Sequence, residues 1–352
     1  MAIKIISNEL PFMMSWDEYC YKAGGETNLL QSRYWATVNK DLNKTSSYLS
    51  IVEKGNKVMG QALFLKHWLS FRNHIFVNAP FSSIVCSDGP IIIDSEQNVG
   101  ILESMIRSGL TIARRSFSRD ITFIPSHTST FMSGEAVSSI YKSYGFRVKK
   151  WGTYLIDLKQ TEDALFMSFK GSARKSVKKC RKLGLRVVKM KSYDEFRKIY
   201  WNAYKESEMA FGRKVKPCSE ILWKEDKKKY YHYYIVEDSE NNILSCLGMY
   251  CFNGVATEIA SAISPMAYAK KIPAQDLIHW EMMLAAKAIG CRAFDLAGVN
   301  PTPENQKELG IRRFKEKWGG AYVEYNIYTR DFMPWLSKGI YTLSRLKRRL
   351  IF

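Results

Sequence analysis

The residues best suited to chemistry lie in Gly310-Ile311-Arg312-Arg313-Phe314-Lys315-Glu316-Lys317-Trp318-Gly319-Gly320, shortly after Phe294-Asp295-Leu296-Ala297-Gly298-Val299. The pattern sets Lys315 beside the ring of Phe314, before a bend that glycine permits and after a short strand carrying an acid. A cation held there by structure can stabilise negative charge developing on a reacting carbonyl. The spacing points to an enzyme.

A second concentration of charge runs from Lys170 to Lys191. Arg174, Lys175, Lys178, Lys179, Arg181 and Lys182 accompany very few acids, while Leu165, Phe169, Ala173, Val177, Cys180 and Leu183 recur at three- and four-residue spacing. One helix over Thr161–Leu183, with a buried apolar stripe and a cationic outer face, satisfies both patterns. Like charges at that density cost helix stability, so an anionic partner such as RNA is expected on this face; a merely solvated face is the plain alternative.

Other chemistries lack support. His67, His74, His127, His232 and His279 show neither HxxxH nor HExxH spacing, so no metal site and no histidine-based triad is expected. Neither a GxxxxGK[ST] loop nor a GxGxxG fingerprint occurs, which argues against kinase and dehydrogenase chemistry. The seven cysteines are scattered without CxxC spacing among apolar neighbours and read as reduced core residues. Asp295 and Glu258 are candidate proton acceptors, but acids flanked by strand residues usually satisfy backbone donors, and a structural role is expected for both.

A chain of 352 residues with 46% hydrophobic content can bury a large core and is long enough for two domains. Its net charge of +19 raises the local concentration of anionic partners: nucleic acid, phosphorylated small molecules or an anionic membrane. The start lacks a long apolar run and nothing later reaches the roughly 18 residues of a membrane span, so a cytoplasmic protein is expected. Periodicity predicts a helix near 31–43, a hairpin over 50–65, a helix over 99–116, a strand from Asp120 and a helix over 136–144 ending at Gly145. Past a strand at 146–158 the plan repeats. After the basic helix come a strand at 185–190, helices at 193–209 and 218–228, and strands at 231–237, 243–252 and 257–262. A long helix at 273–289, a strand at 293–296, a short helix at 304–317 and a strand at 323–328 follow. The expected fold is α/β in two halves, 1–150 and 151–330, with a basic amphipathic tail at 331–352.

Several of these stretches together resemble the FemABX family of aminoacyltransferases. Leu30-Gln31-Ser32-Arg33-Tyr34-Trp35 is similar to the family's Q-S-x-x-W helix, Gly89-Pro90 to its G-P, and Arg174 to Gly184 to its basic helix ending in glycine. Pro273-Ala274-Gln275-Asp276-Leu277-Ile278-His279-Trp280 resembles its long helix, Phe294-Asp295-Leu296-Ala297-Gly298 its Y-D-x-G-G, and Gly310 to Lys315 its G-[LI]-x-x-F-K. The resemblance covers most of the chain. It implies two tandem domains of the acetyltransferase (GNAT) fold, no bound cofactor, and transfer of an aminoacyl group from charged tRNA to an amine of a UDP-linked or lipid-linked peptidoglycan precursor. By the same resemblance Lys315 stabilises the oxyanion, Phe314 shapes the channel, and Lys40, Arg213, Lys216 and Gln275 contact the precursor. Ala297 stands where the family has the first glycine of its pair.

Two rival readings keep the fold. The first uses acyl-CoA as donor, in cell-surface polysaccharide biosynthesis; Met266 to Ala274 has no glycine of the usual pyrophosphate loop, though Lys270 and Lys271 could bind phosphate. The second is a non-catalytic RNA-binding or anion-binding module. The tail from Phe332 to Phe352 mixes apolar and basic residues, as does either a helix on anionic lipid or one packed on the protein.

Overall fold

The computed structural model of the chain describes residues 2–7, 29–54, 57–71, 74–77, 80–92, 98–129, 131–132, 134–213, 215, 230–339 and 342. It divides into two compact units, Met1–Lys150 with Tyr325–Phe352, and Trp151–Glu324. The end of the last strand pairs in the first unit, Tyr328 opposite Phe123 and Asp331 opposite Asp120.

The first unit contains β1 (Ala2–Ser7), α1 (Arg33–Asn43), β2 (Ser46–Lys54), β3 (Lys57–His67), β4 (Leu69–Phe71), β5 (His74–Phe76), β6 (Ser83–Ser87), β7 (Ile91–Ile92), α2 (Asn98–Arg115), β8 (Asp120–Ile124) and α3 (Glu135–Ser143). Strands β2, β3 and β6 form an antiparallel meander, after which β6 and β8 pair in parallel. A parallel pair needs a crossover, and α2 supplies it. Ile101, Met105, Ile106 and Ile112 fall on its inner face and are buried with Phe64 and Phe123.

Two motifs of the resemblance meet in this unit. Ser32 caps α1 by accepting the Trp35 N–H at 3.1 Å. Gln31 is fully buried; its Nε2 donates to the Ser87 carbonyl at 2.6 Å and its Oε1 accepts the Leu63 N–H at 2.7 Å. A Cβ on Gly89 would stand 2.6 Å from the Gln31 amide carbon, so glycine there makes room for the glutamine.

The second unit begins in β9 (Arg147–Asp157) and continues through α4 (Glu162–Ser168), α5 (Gly171–Lys182), β10 (Arg186–Lys189) and α6 (Tyr193–Glu195), which runs through a π-helical turn at Phe196–Trp201 into α7 (Asn202–Ala210). Then come β11 (Tyr231–Glu237), β12 (Ile243–Phe252), β13 (Val255–Ile263), α8 (Pro265–Ala269), α9 (Ala274–Ala288), β14 (Ala293–Asp295), α10 (Gln306–Glu316) and β15 (Ala321–Asp331). Its strands run in the order β9-β14-β13-β12-β11-β10. Again an antiparallel meander, β11 to β13, precedes a parallel step from β13 to β14, bridged by α9. The repetition of meander, helix and parallel step is the repeated plan read from periodicity.

The single helix expected over Thr161–Leu183 is two helices. Phe169 leaves helical conformation, φ −71° and ψ 149°, and buries its ring edge-on to Trp280 and Trp318 at 5.5 and 5.0 Å. Tertiary burial of one aromatic outweighs helix continuity here. Leu183, expected in the stripe, is 50% exposed. The helix expected over 218–228 lies outside the described residues.

Candidate active site

Helix α10 starts at an Asn305 cap that accepts the Glu308 N–H at 3.0 Å, while Asn305 Nδ2 donates to Glu308 Oε1 at 3.0 Å. Its one buried residue is Lys315, 7% exposed. Lysine is almost never buried unless paired. Its ammonium donates to the carbonyl of Leu296, to that of Ala297 at 3.2 Å and to that of Gly298 at 3.1 Å, and pairs with Glu258 Oε1 at 3.3 Å.

The three carbonyls converge because Asp295 and the left-handed Ala297 shape the turn. Asp295 Oδ1 accepts the Ala297 N–H at 2.8 Å and the Thr153 hydroxyl, and that hydroxyl also contacts the Ala297 carbonyl at 2.8 Å. Ala297 sits at φ 59°, a conformation that costs a side-chain-bearing residue roughly 1–2 kcal/mol. Beyond the turn, Gly152 and Val299 exchange backbone hydrogen bonds at 3.0 and 2.7 Å. Asp295 is thus the structural carboxylate that its strand context suggested.

Glu258 is placed differently. Its Oε2 lies 2.9 Å from His279 Nε2, and His279 Nδ1 lies 2.6 Å from the Gln275 carbonyl. Burial opposes ionisation of Glu258, but the hydrogen bond from His279 and the charges of His279 and Lys315 outweigh it and hold the carboxyl below the ordinary glutamate range. Phe314 and Trp318 wall the imidazole, Phe314 edge-on at 5.0 Å and Trp318 stacked at 5.7 Å. Next to them Lys317 pairs with the buried Asp276 and lies 4.1 Å over the Phe314 ring. The site is therefore a chain of contacts from Lys315 to Glu258 to His279, beside a second ion pair.

Sequence reasoning passed over His279, whose carboxylate partner Glu258 comes from β13 and whose ring neighbour Phe314 comes from α10. Its place in the Pro273–Trp280 stretch was the available signal. Gln275 lies at the end of this chain of contacts through its backbone; its side chain is held by the Ala262 carbonyl at 2.6 Å and the Ser261 hydroxyl at 3.1 Å.

Lys40 is exposed on α1, about 100° round the helix from the buried Asn39. Arg213 pairs with Glu208 at 3.0 Å beside the Phe211 ring at 5.2 Å. Lys216 lies outside the described residues. On α5, Arg174 donates to the Met167 carbonyl at 2.6 Å and Arg181 pairs with Glu281 at 2.9 Å, while Lys175, Lys178, Lys179 and Lys182 are exposed. Of the tail, Trp335 is 71% exposed, and most residues beyond Gly339 lie outside the described ones. Among the described residues no cluster of three metal-ligating side chains occurs, and no helix is long and apolar enough to cross a membrane.

Comparison with known proteins agrees with this architecture. Residues 219–329, which span Glu258, His279 and Lys315, match the model of the FemAB family. A crystal structure of FemX superposes with a TM-score of 0.74 at 16% identity, covering 97% of this chain and 100% of that one. L-PGS from Bacillus licheniformis gives 0.54 at 14% identity, covering 91% and 92%. A tandem GNAT protein from the clavulanic acid biosynthesis pathway gives 0.53 at 10% identity, covering 94% and 98%. No curated protein sequence matches. At these identities the structural likenesses show the fold, which is two GNAT-like units in tandem.

Proposed function

We propose that this chain, whose residues 219–329 match the model of the FemAB family, is an aminoacyltransferase that moves an aminoacyl group from charged tRNA to an amine of a peptidoglycan precursor. The observation that carries the reading is the buried Lys315, committed by its fold to one small volume beside Phe314. In the reaction the acceptor nitrogen attacks the ester carbonyl carbon, the carbonyl oxygen becomes an oxyanion, and collapse expels the ribose oxygen, which takes the proton lost by the amine. Lys315 supplies the positive charge for the oxyanion. Its three N–H groups are shared among four acceptors, and the longest contact, to Glu258 at 3.3 Å, is the one an oxyanion displaces. Glu258 then retains His279.

The exposed lysines of α5 are proposed to meet the tRNA backbone, and Lys40, Arg213 and Lys216 to meet the precursor's phosphates; the donors and a nucleotide-linked precursor put the chain in the cytoplasm. Against acyl-CoA stands the N-terminus of α9, where a GNAT enzyme binds pyrophosphate. The stretch leading into it, Met266 to Ala274, has no glycine that would let backbone amides close round a pyrophosphate.

The test is label transfer to a precursor mixture from aminoacyl-tRNA and from acetyl-CoA, with and without ribonuclease. Transfer from the tRNA pool that ribonuclease abolishes is expected. Transfer from acetyl-CoA alone would move the chain to the acyl-CoA branch, and RNA binding without transfer would make it a binding module.

A further inference from the structure

The first unit holds a cavity of about 560 Å3 where α2, the end of α3 and β15 meet, and Arg107, Arg114 and Arg330 line it with no acid among the described residues. The volume falls in the range of small-molecule sites. Arg107, Thr111 and Arg114 recur at three- and four-residue spacing, so they share one face of α2, a different face from the one that buries Ile101, Met105 and Ile112. Across the cavity α3 ends at Ser143, Tyr144 caps it, and Gly145 turns the chain at φ 78°.

Tyr144 fixes two of the three guanidinium groups. Its hydroxyl accepts the Arg107 Nε–H at 2.8 Å, and its carbonyl, at the negative end of α3, accepts from Arg330 Nη1 at 2.5 Å. Arg107 Nη2 also pairs with Glu103 at 3.0 Å, while Arg114 is exposed and makes no hydrogen bond or ion pair among the described residues. Glu103 is the one described carboxylate that pairs with any of the three, so two positive charges are left over, which matches the charge of a phosphate monoester near neutral pH. The planar fork of arginine suits phosphate oxygens bidentately, and groups fixed before the ligand arrives lose little freedom on binding it. The hydroxyls of the lining add a second requirement. Thr111 donates to the Arg107 carbonyl at 2.9 Å and Ser143 to the Ile140 carbonyl at 2.7 Å, so each has only lone pairs left for the cavity. A ligand that meets them carries hydroxyl donors as well as phosphate.

We propose that this cavity binds a soluble phosphate monoester of a small polyhydroxylated molecule, a sugar phosphate, with Arg107, Arg114 and Arg330 on the phosphate and the Thr111 and Ser143 hydroxyls accepting from the sugar. Tyr144 keeps its own hydroxyl proton to donate to a phosphate oxygen. The site lies within the first unit, uses none of the residues proposed to meet the tRNA or the precursor, and is independent of the transferase reading.

The experiment titrates the full chain by calorimetry, at physiological ionic strength, with glucose 6-phosphate, glucose and inorganic phosphate. Saturable binding of glucose 6-phosphate is expected, with inorganic phosphate weaker and glucose weaker still. Arg114→Gln is expected to weaken glucose 6-phosphate at least ~10-fold, the scale of one hydrogen bond to a charged group. Arg114→Lys, which keeps the charge and loses the fork, is expected to weaken it as well. Arg115→Gln removes the same charge from the neighbouring exposed residue, outside the lining, and is expected to leave the affinity unchanged. Equal losses in Arg114→Gln and Arg115→Gln would show attraction to a generally basic surface and overturn the proposal. So would inorganic phosphate binding as tightly as the ester, or vesicles carrying phosphatidic acid binding where glucose 6-phosphate does not. If Arg114→Gln fails to fold by circular dichroism, Arg114→Lys against Arg115→Gln decides.

Discussion

Gln31 in the first unit and Lys315 in the second are both buried side chains that hold a loop by its backbone, yet one is neutral and the other charged. Gln31 pairs its amide with the Ser87 carbonyl and the Leu63 N–H, and nothing about it is electrostatically expensive. Lys315 binds three carbonyls but also brings a charge that needs Glu258, which in turn faces His279. Desolvating an ion costs several kcal/mol even after relaxation, so a fold that needed only a clamp is better served by an amide. The difference teaches that the first anchor is architecture, whereas the second carries a charge that architecture alone does not require. Groups of that kind cluster at functional sites.

The sharpest way to break the comparison is to remove both anchors in turn and measure transfer per folded molecule. Lys315→Met is expected to lower single-turnover transfer by at least ~10²-fold, the scale for losing one oxyanion donor, while circular dichroism reports the folded fraction. Unchanged transfer in the folded fraction would reduce Lys315 to a clamp like Gln31.

Glu258→Gln comes next. It leaves Lys315 and His279 without their carboxylate and is expected to destabilise the fold by about 3–5 kcal/mol in denaturant titration. The pH dependence sharpens the point. Because the folded carboxyl is held low, the unfolded chain takes up its proton first; the stability from this group is present above roughly pH 4.3 and is lost as pH falls through the folded value. Glu258→Gln should flatten that acid-side slope, and an unchanged slope would show the pairing to be energetically empty.

Gln31→Ala is expected to cost about 1–3 kcal/mol, since it leaves a buried N–H and a carbonyl without a partner, with no change in transfer per folded molecule. A loss of transfer there would erase the contrast between the two anchors. The smallest effect is expected at Ala297, at φ 59°: Ala297→Gly should raise the free energy of unfolding, read by denaturant titration, by up to about 1 kcal/mol, by relieving left-handed strain.

Much of the fold was legible beforehand, because hydrophobic periodicity repeats along each element. Helix α2 was expected at 99–116 and spans Asn98–Arg115, and α9 was expected at 273–289 and spans Ala274–Ala288. The break at Phe169 was not legible, since the apolar spacing of Leu165, Phe169 and Ala173 is helical and only the pocket between Trp280 and Trp318 takes the ring out of register. At the site, Lys315 and Phe314 were legible as a local pattern. Glu258 and His279 were considered singly and assigned no shared task, because nothing in the spacing of a strand residue and a helix residue says that their side chains meet.

The sequence by itself determined the two-part α/β plan, the basic character, and the residues Phe314, Lys315 and Asp295, since each of these rests on composition or on short-range order. Only the tertiary structure decided which strand the last segment joins, and that Asp295 shapes a turn while Glu258 pairs with Lys315 and His279. The physical reason is the same in each case. Pairing, burial and electrostatic partnership are contacts between elements far apart in the chain, and a local pattern carries no information about which distant group will complete them.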